Sequence, residues 1–206
     1  MSDADRFRTA IAAIDAANAD DPHEIVVRGA RRKKELAHAE LVSEWVAKLA
    51  PDASEALRLA ARAHHVRRWE IARETQPPDR AGYHRWRKAL HEHHAEVAGR
   101  LLREAGYDAA TVQRVQDLVR KRGLGRDPEV QVLEDALCLV FVETQLAEIA
   151  RRMEGPKLAD VVRKTLRKMS PAARAQAAAL PLGERERKLL AEIVAAEPGS
   201  APAAIS

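Results

Sequence analysis

Apolar residues recur along this chain at the three-and-four spacing of helices that bury one face. Capping residues, prolines and glycines divide this pattern into segments. Predicted helices cover residues 3–19, 31–49, 79–105, 108–122, 128–153 and 158–169. Between the second and third of these, a further helix is capped by Asp52 or Ser54 and continues through Trp69, and a last one begins at Ser170-Pro171. Val, Ile and Thr are scattered and do not alternate with polar residues over the length of a strand. The sequence therefore predicts an all-α fold, a compact helical bundle.

Residues 136–142 are apolar on every side of a helix. A helix of that kind is surrounded by other helices, so we place this segment at the centre of the bundle. Glu134 and Asp135 come immediately before it and are expected to be at least partly buried. Because a buried carboxylate without a partner is costly, a histidine, an arginine or a metal ion should face them.

The composition is that of one globular domain in the cytoplasm. With 206 residues, 46% of them hydrophobic and 32% charged, the chain can form a single core. We predict one domain over residues 1–196 and a disordered tail over 197–206. The lone Cys138 excludes an internal disulfide and suits a reducing compartment. The acidic N-terminus and the short apolar runs indicate neither a signal peptide nor a membrane span. A formal charge of +4 favours anionic ligands such as nucleotides or RNA.

Histidines lie on the apolar faces of three predicted helices. His38 shares a face with Leu41 and Trp45, His94 continues the stripe of Leu90, and His64 and His65 end an alanine-rich helix. Together with Asp135 they form a candidate site on converging helices. The alternative is that each histidine is a core residue with an unrelated hydrogen-bond partner.

Four phrases follow the motif order of the HD (histidine–aspartate) metal-dependent phosphohydrolase group. They are His38-Ala39-Glu40-Leu41-Val42, Ala60-Ala61-Arg62-Ala63-His64-His65-Val66, the helix segment that begins His94-Ala95-Glu96, and Val132-Leu133-Glu134-Asp135-Ala136. They resemble that group over about residues 31–150. The resemblance implies a metal site with His65, His94 and Asp135 as ligands and His38 or His64 as further candidates. It also implies that Glu40 or Glu134 orients a ligand or acts as general base.

The chain departs from the HD pattern at two positions. His65 stands where the group has the aspartate of its His-Asp pair, and Cys138 stands where the closing phrase has a second aspartate. A neutral imidazole cannot bridge two ions as a carboxylate does. We therefore expect one divalent transition metal, Mn²⁺, Fe²⁺, Ni²⁺ or Zn²⁺, because imidazole suits these ions better than Mg²⁺.

Two further phrases are similar to a bacterial and fungal family of unknown function. They are Arg62-Ala63-His64-His65-Val66-Arg67-Arg68-Trp69 and Asp79-Arg80-Ala81-Gly82-Tyr83-His84-Arg85-Trp86-Arg87, and the segment 133–141 adds to the likeness. Some members carry the name glutamyl-tRNA synthetase. The chain has no nucleotide-binding α/β pattern and no synthetase motif, so the sequence does not support that activity.

Arginines and aromatic residues surround the histidine phrases, and the candidate substrate-binding set is Arg67, Arg68, Trp69, Arg80, Tyr83 and Arg87. Arginine binds phosphate in a bidentate manner, and aromatic rings stack on bases. We expect a metal-dependent phosphohydrolase acting on a nucleotide or related phosphate ester. The alternative is an inactive HD-like module that binds a nucleotide, or RNA through the basic stripe around Arg163 and Lys164, without turnover. The sequence also leaves a homodimer open.

Overall fold

Helices form nearly all of the regular structure in the computed structural model, which describes residues 2–195. The predicted all-α fold is confirmed. The helices are α1 (Asp3–Ala19), α2 (Lys34–Leu49), α3 (Glu55–Ala63), α4 (Arg80–Glu104), α5 (Ala109–Val119), α6 (Pro128–Thr144), α7 (Leu146–Arg152), α8 (Gly155–Leu166), α9 (Pro171–Ala178) and α10 (Glu184–Ala195), and the strands are β1 (Glu24–Val27) and β2 (Ala30–Lys33). The chain forms two compact units, Met1–Ala136 and Leu137–Ser206, so the boundary falls inside α6.

In the first unit, α3 packs against α1, α2, α4 and α5. Its alanines at positions 60, 61 and 63 have no exposed surface, and such small side chains allow neighbouring helices to approach closely. Ile14 of α1 and Val97 of α4 close one core cluster against Ala63 and Val66. The segment that carries His64 and His65 follows α3 directly, so this packing fixes where the two imidazoles lie.

A two-stranded hairpin precedes α2, where the sequence analysis predicted no strand. β1 and β2 pair antiparallel, with Ile25 opposite Arg32. The turn residues Arg28 and Gly29 both have positive φ, 50° and 81°, as the tight turns that join twisted strands require. Residues 31–33 therefore belong to a strand, and the predicted helix start at residue 31 is wrong by three positions. Only one residue of β1, Val27, is buried, so the periodicity of so short a strand is too weak to detect.

The third helix ends earlier than predicted. It stops at Ala63, and His64 to Arg67 form turns that lead into a 3₁₀ turn at Arg68–Glu70. Arg67 has a left-handed backbone conformation with φ of 52°, which a helix does not accommodate. The backbone N–H of Arg67 donates to the side-chain oxygen of the buried Asn18 at 3.3 Å, which holds the bend against α1.

The apolar run of α6 is largely buried, including Cys138, Leu139 and Val140. The predicted helix 128–153 is interrupted at Gln145, so it forms α6 and α7 instead of one helix. In the second unit α10 packs against α7, α8 and α9 around Leu166 and Ile193. The predicted tail 197–206 lies outside the described residues. Among residues 2–195, no helix combines the length and the apolar character that crossing a membrane needs.

Candidate metal centre

Three histidines from two segments meet in the first unit. One potential ligand atom from each of His38, His64 and His65 lies within 4.8 Å of the others. His38 is on α2, and the other two follow the end of α3. The rings of His64 and His65 have centroids 4.2 Å apart, and those of His38 and His65 are 6.2 Å apart and stacked. These three histidines could hold a metal ion.

Backbone carbonyls set the tautomers of two buried imidazoles. Nδ1 of His64 lies 2.9 Å from the carbonyl oxygen of Ala61, and Nδ1 of His94 lies 2.9 Å from that of Val66. A carbonyl only accepts, so each Nδ1 carries the proton and each Nε2 presents a lone pair. No described residue gives either Nε2 atom a hydrogen bond, although both atoms are buried. Since burying an unsatisfied polar atom costs about 1–3 kcal/mol, these two atoms indicate a ligand site.

Helix α4 holds the turn that carries the cluster. His94 donates to the carbonyl of Val66, and the next carbonyl, that of Arg67, lies 3.2 Å from Nε2 of the neighbouring His93. The ring of His94 is 5.5 Å from that of His65. His94 is therefore beside the three clustered histidines, although the group within 4.8 Å does not include it.

Glu35 is a site residue that the sequence analysis missed. It is buried on α2, and its Oε2 lies 3.2 Å from Nδ1 of His65. Its Oε1 lies 3.8 Å from Nε of Arg68. Burial raises the pKa of Glu35 to about 7, against the opposing effect of Arg68. The signal was present in the sequence, because Glu35 precedes His38 by three positions and a helix places such residues on one face.

The described imidazoles of the site are neutral at pH 7. Burial lowers the pKa of His38 to about 4 and that of His64 to about 3, and it holds the pKa values of His65 and His94 well below 6.5. Nearby cations act in the same direction: Arg68 lowers the pKa of all four groups, Lys34 also lowers that of His38, and Lys121 also lowers that of His64. Neutral imidazole is the form that binds metal, so the site does not need to lose protons first.

A lysine contacts Glu134, one of the two acids that the sequence analysis placed in the interior. Lys121 donates to Glu134, and Glu134 is buried. The predicted partner was a histidine, an arginine or a metal. Lys121 has a left-handed backbone conformation, with φ of 59°, just after the end of α5. Its charge also lowers the pKa values of His64 and His91, so this ion pair lies close to the histidine cluster.

The other predicted ligands and bases have partners of their own. Asp135 is buried and accepts a hydrogen bond of 2.9 Å from Gln131. It is not in the group of three within 4.8 Å. Glu40 pairs with Arg32 at 2.5 Å and with Arg62 at 3.6 Å. The cluster thus contains His38, His64 and His65, with His94 adjacent. Glu35 lies beside it, although the sequence analysis did not predict Glu35 as a site residue.

The predicted substrate-binding residues divide into two sets. Arg68 lies by Glu35 and over the ring of Trp86 at 5.0 Å, and Nη2 of Arg87 lies 3.4 Å from Nε2 of His91. Tyr83 is exposed, with its ring 5.9 Å from that of Trp86. The second set has other surroundings: Arg67 pairs with Glu70 at 3.0 Å, Arg80 is exposed at the start of α4, and Trp69 is half-buried in the 3₁₀ turn.

The fold and the site together define an all-α protein with a buried histidine cluster that could hold a metal ion. The chain belongs to the family described as Domain of unknown function (DUF4202), whose model matches residues 8–190. The predicted similarity to an uncharacterised family is thereby confirmed. No curated protein matches the chain. No solved structure matches it either.

Proposed function

We propose that this protein is a divergent HD-like, metal-dependent phosphohydrolase that acts on a nucleotide or a related phosphate ester in the cytoplasm. One observation carries the proposal: the buried Nε2 atoms of His64 and His94 have no hydrogen-bond partner among the described residues, and both lie by the cluster of His38, His64 and His65. A protein that needed these histidines only for packing would leave two polar atoms unsatisfied without benefit.

The residues present fit one divalent transition metal. His38, His64 and His65 would hold it, with His94 beside them, and an imidazole donor set favours Mn²⁺, Fe²⁺, Ni²⁺ or Zn²⁺. Such a metal supplies charge that polarises a phosphoryl oxygen and lowers the pKa of a water molecule. The protein's own groups supply the rest of the chemistry.

Cations beside the cluster support a phosphate ester as the substrate. Arg68 and Arg87 both lower the pKa of His91, and Arg87 also lowers that of Arg68, so their charges lie close together. A bound anion near both guanidinium groups would offset this mutual repulsion. The exposed ring of Tyr83 beside Trp86 offers a face for a nucleobase.

Glu134 is the carboxylate that fits a proton-transfer role better than Glu40 does. It is buried, it accepts a hydrogen bond from Lys121, and its charge raises the pKa of His91 against the effect of burial. Glu40 is instead bound by two arginines on another face of α2. In this proposal the carboxylate of Glu134, held by Lys121, orients a water molecule or accepts a proton from it.

A second candidate function is binding without turnover. Among the described residues the group of potential ligands within 4.8 Å consists of imidazoles alone, and Asp135 is not in it. Without a carboxylate ligand the module would bind a nucleotide and not cleave it. RNA is a less favoured ligand, because Lys164 of the basic stripe already pairs with Asp160 at 2.6 Å.

Metal analysis and a panel of phosphate esters test the proposal. Protein purified without chelator should carry about one transition metal per chain and hydrolyse at least one nucleotide or phosphomonoester. His64→Gln removes a metal ligand, and His94→Gln removes the imidazole beside the ligands. Each variant should therefore lose the metal and at least about 90% of the activity. His84→Gln, at an exposed position of α4, is the matched control. If metal-free wild type hydrolyses none of the esters after any of the four ions is restored, the phosphohydrolase is refuted. If it then still binds a nucleotide without cleaving it, the binding module is favoured.

A further inference from the structure

We propose that Glu35 is a positioning residue that fixes His65 for metal binding, an inference that rests on the proposed metal site. Nδ1 of His65 and Oε2 of Glu35 are 3.2 Å apart. A carboxylate in this position accepts a hydrogen bond from Nδ1–H and leaves the lone pair of Nε2 of His65 for the metal. Pairs of a carboxylate and a histidine of this kind orient the ring and increase its basicity as a ligand.

The position of Glu35 is itself fixed. Its backbone N–H donates to Oδ2 of Asp21 at 2.9 Å, and the side chain of Asp21 is fully buried. The other carboxylate oxygen of Asp21 accepts from the backbone N–H of His23 at 2.9 Å. These bonds tie the start of α2 to the loop that follows α1. The backbone of Glu35 is therefore held in place, which a side chain needs if it is to orient a metal ligand.

The imidazoles of His64, His65 and His94 share one arrangement. His64 and His94 direct Nδ1 to backbone carbonyls, and His65 directs Nδ1 to Glu35. In all three rings Nε2 is the nitrogen that remains for a ligand. Only the acceptor of His65 is a side-chain carboxyl group, and its ionised form accepts a stronger hydrogen bond than a carbonyl does.

This arrangement also accounts for the departure at position 65. The HD pattern has a carboxylate there, and this chain has His65. Glu35 from α2 brings a carboxyl group to within 3.2 Å of Nδ1 of His65. Position 65 and α2 together thus supply the imidazole and the carboxyl group, from separate segments of the chain.

The first experiment compares metal affinity in Glu35→Gln and in wild type. The apo proteins are titrated with Ni²⁺ and with Mn²⁺ by calorimetry, and circular dichroism in chelator establishes that both are folded. Glutamine keeps the shape of the side chain and removes its charge, so affinity should fall about 10- to 100-fold. Glu44→Gln, on the same helix but exposed and paired with Arg28 at 2.7 Å, is the matched control and should bind like wild type.

A double-mutant cycle shows whether Glu35 acts through His65. In a His65→Ala background, Glu35→Gln should change metal affinity less than two-fold, since the residue it orients is gone. An equal loss in both backgrounds would show that Glu35 acts by another route, for example through Arg68, and would overturn the inference. Should Glu35→Gln not fold, Glu35→Asp, which keeps the charge but is too short to reach His65, takes its place under the same criterion.

The outcomes separate this inference from the proposed function. If wild type binds neither metal, the metal site and the inference both fail. If wild type binds metal and Glu35→Gln binds it as tightly, only the positioning role fails.

Discussion

Replacing His64 by leucine tests whether this residue serves a ligand or the core. His64 is buried at the end of α3, with one ring nitrogen bonded to Ala61 and the other without a partner among the described residues. Leucine is of similar size and has no polar atom. The substitution therefore removes one hydrogen bond and one unsatisfied atom together.

The expected change in stability follows from these two contributions. The bond to Ala61, at 2.9 Å, is worth about 1 kcal/mol net, whereas the unsatisfied Nε2 atom costs about 1–3 kcal/mol when nothing binds it. In chelator the free energy of unfolding should therefore stay within about 1 kcal/mol of wild type or rise slightly. With metal at 100 times its dissociation constant, wild type should gain about 2.7 kcal/mol, and the variant should gain much less because it lacks a ligand.

Urea unfolding followed by circular dichroism measures both quantities. Wild type, His64→Leu and the exposed control His84→Leu are compared in chelator and then with Mn²⁺, Ni²⁺ or Zn²⁺. Two results would refute the reasoning. A loss of more than about 2 kcal/mol in chelator would identify His64 as a core residue whose contacts the fold needs. Equal stabilisation of all three proteins by metal would place the ion elsewhere.

Three further predictions concern stability. The pKa values of His64 and His38 are lowered to about 3 and about 4, so the unfolded chain binds protons that the folded chain does not. The stability that these two neutral histidines contribute is therefore fully present above about pH 6.5. As the pH drops from about 6.5 towards 4, the free energy of unfolding of the metal-free protein should fall by roughly 1 kcal/mol per pH unit for each histidine. Asp127→Ala should cost about 1–2 kcal/mol in urea unfolding, because Asp127 accepts from the N–H of Glu129 at 3.0 Å at the start of α6 and pairs with Arg114 at 2.5 Å. Gly29→Ala should cost about 1 kcal/mol, because φ there is +81° and open space surrounds the site, so only backbone strain contributes.

Each of these predictions has a clear opposite result. A pH profile that is unchanged in a His38→Leu, His64→Leu double variant would show that other groups govern acid unfolding. If Asp127→Asn, which keeps a capping oxygen, loses as much stability as Asp127→Ala, the ion pair and not the cap is the larger contribution. An unchanged midpoint for Gly29→Ala would mean that the hairpin turn relaxes without cost.

The helices were predictable because their signals are local. Asp79 and Asp108 cap α4 and α5 as expected, with side chains that accept from Gly82 and Thr111. The burial of His38, His64 and His94 also follows from their place on apolar faces. Spacing along a single helix carries this information, so one sequence is enough to read it.

Tertiary contacts decided the rest of the site. Glu35 and His65 are 30 positions apart, and His65 lies in a turn after Ala63, where the sequence pattern predicted a helix. The partner of Glu134 proved to be Lys121, which reaches it from a left-handed position after α5. The sequence by itself determined which side chains face inward, because hydrophobic periodicity is a property of each helix. Which nitrogen, oxygen or cation each of them meets there depends on turns and on distant segments, and only the folded chain brings these together.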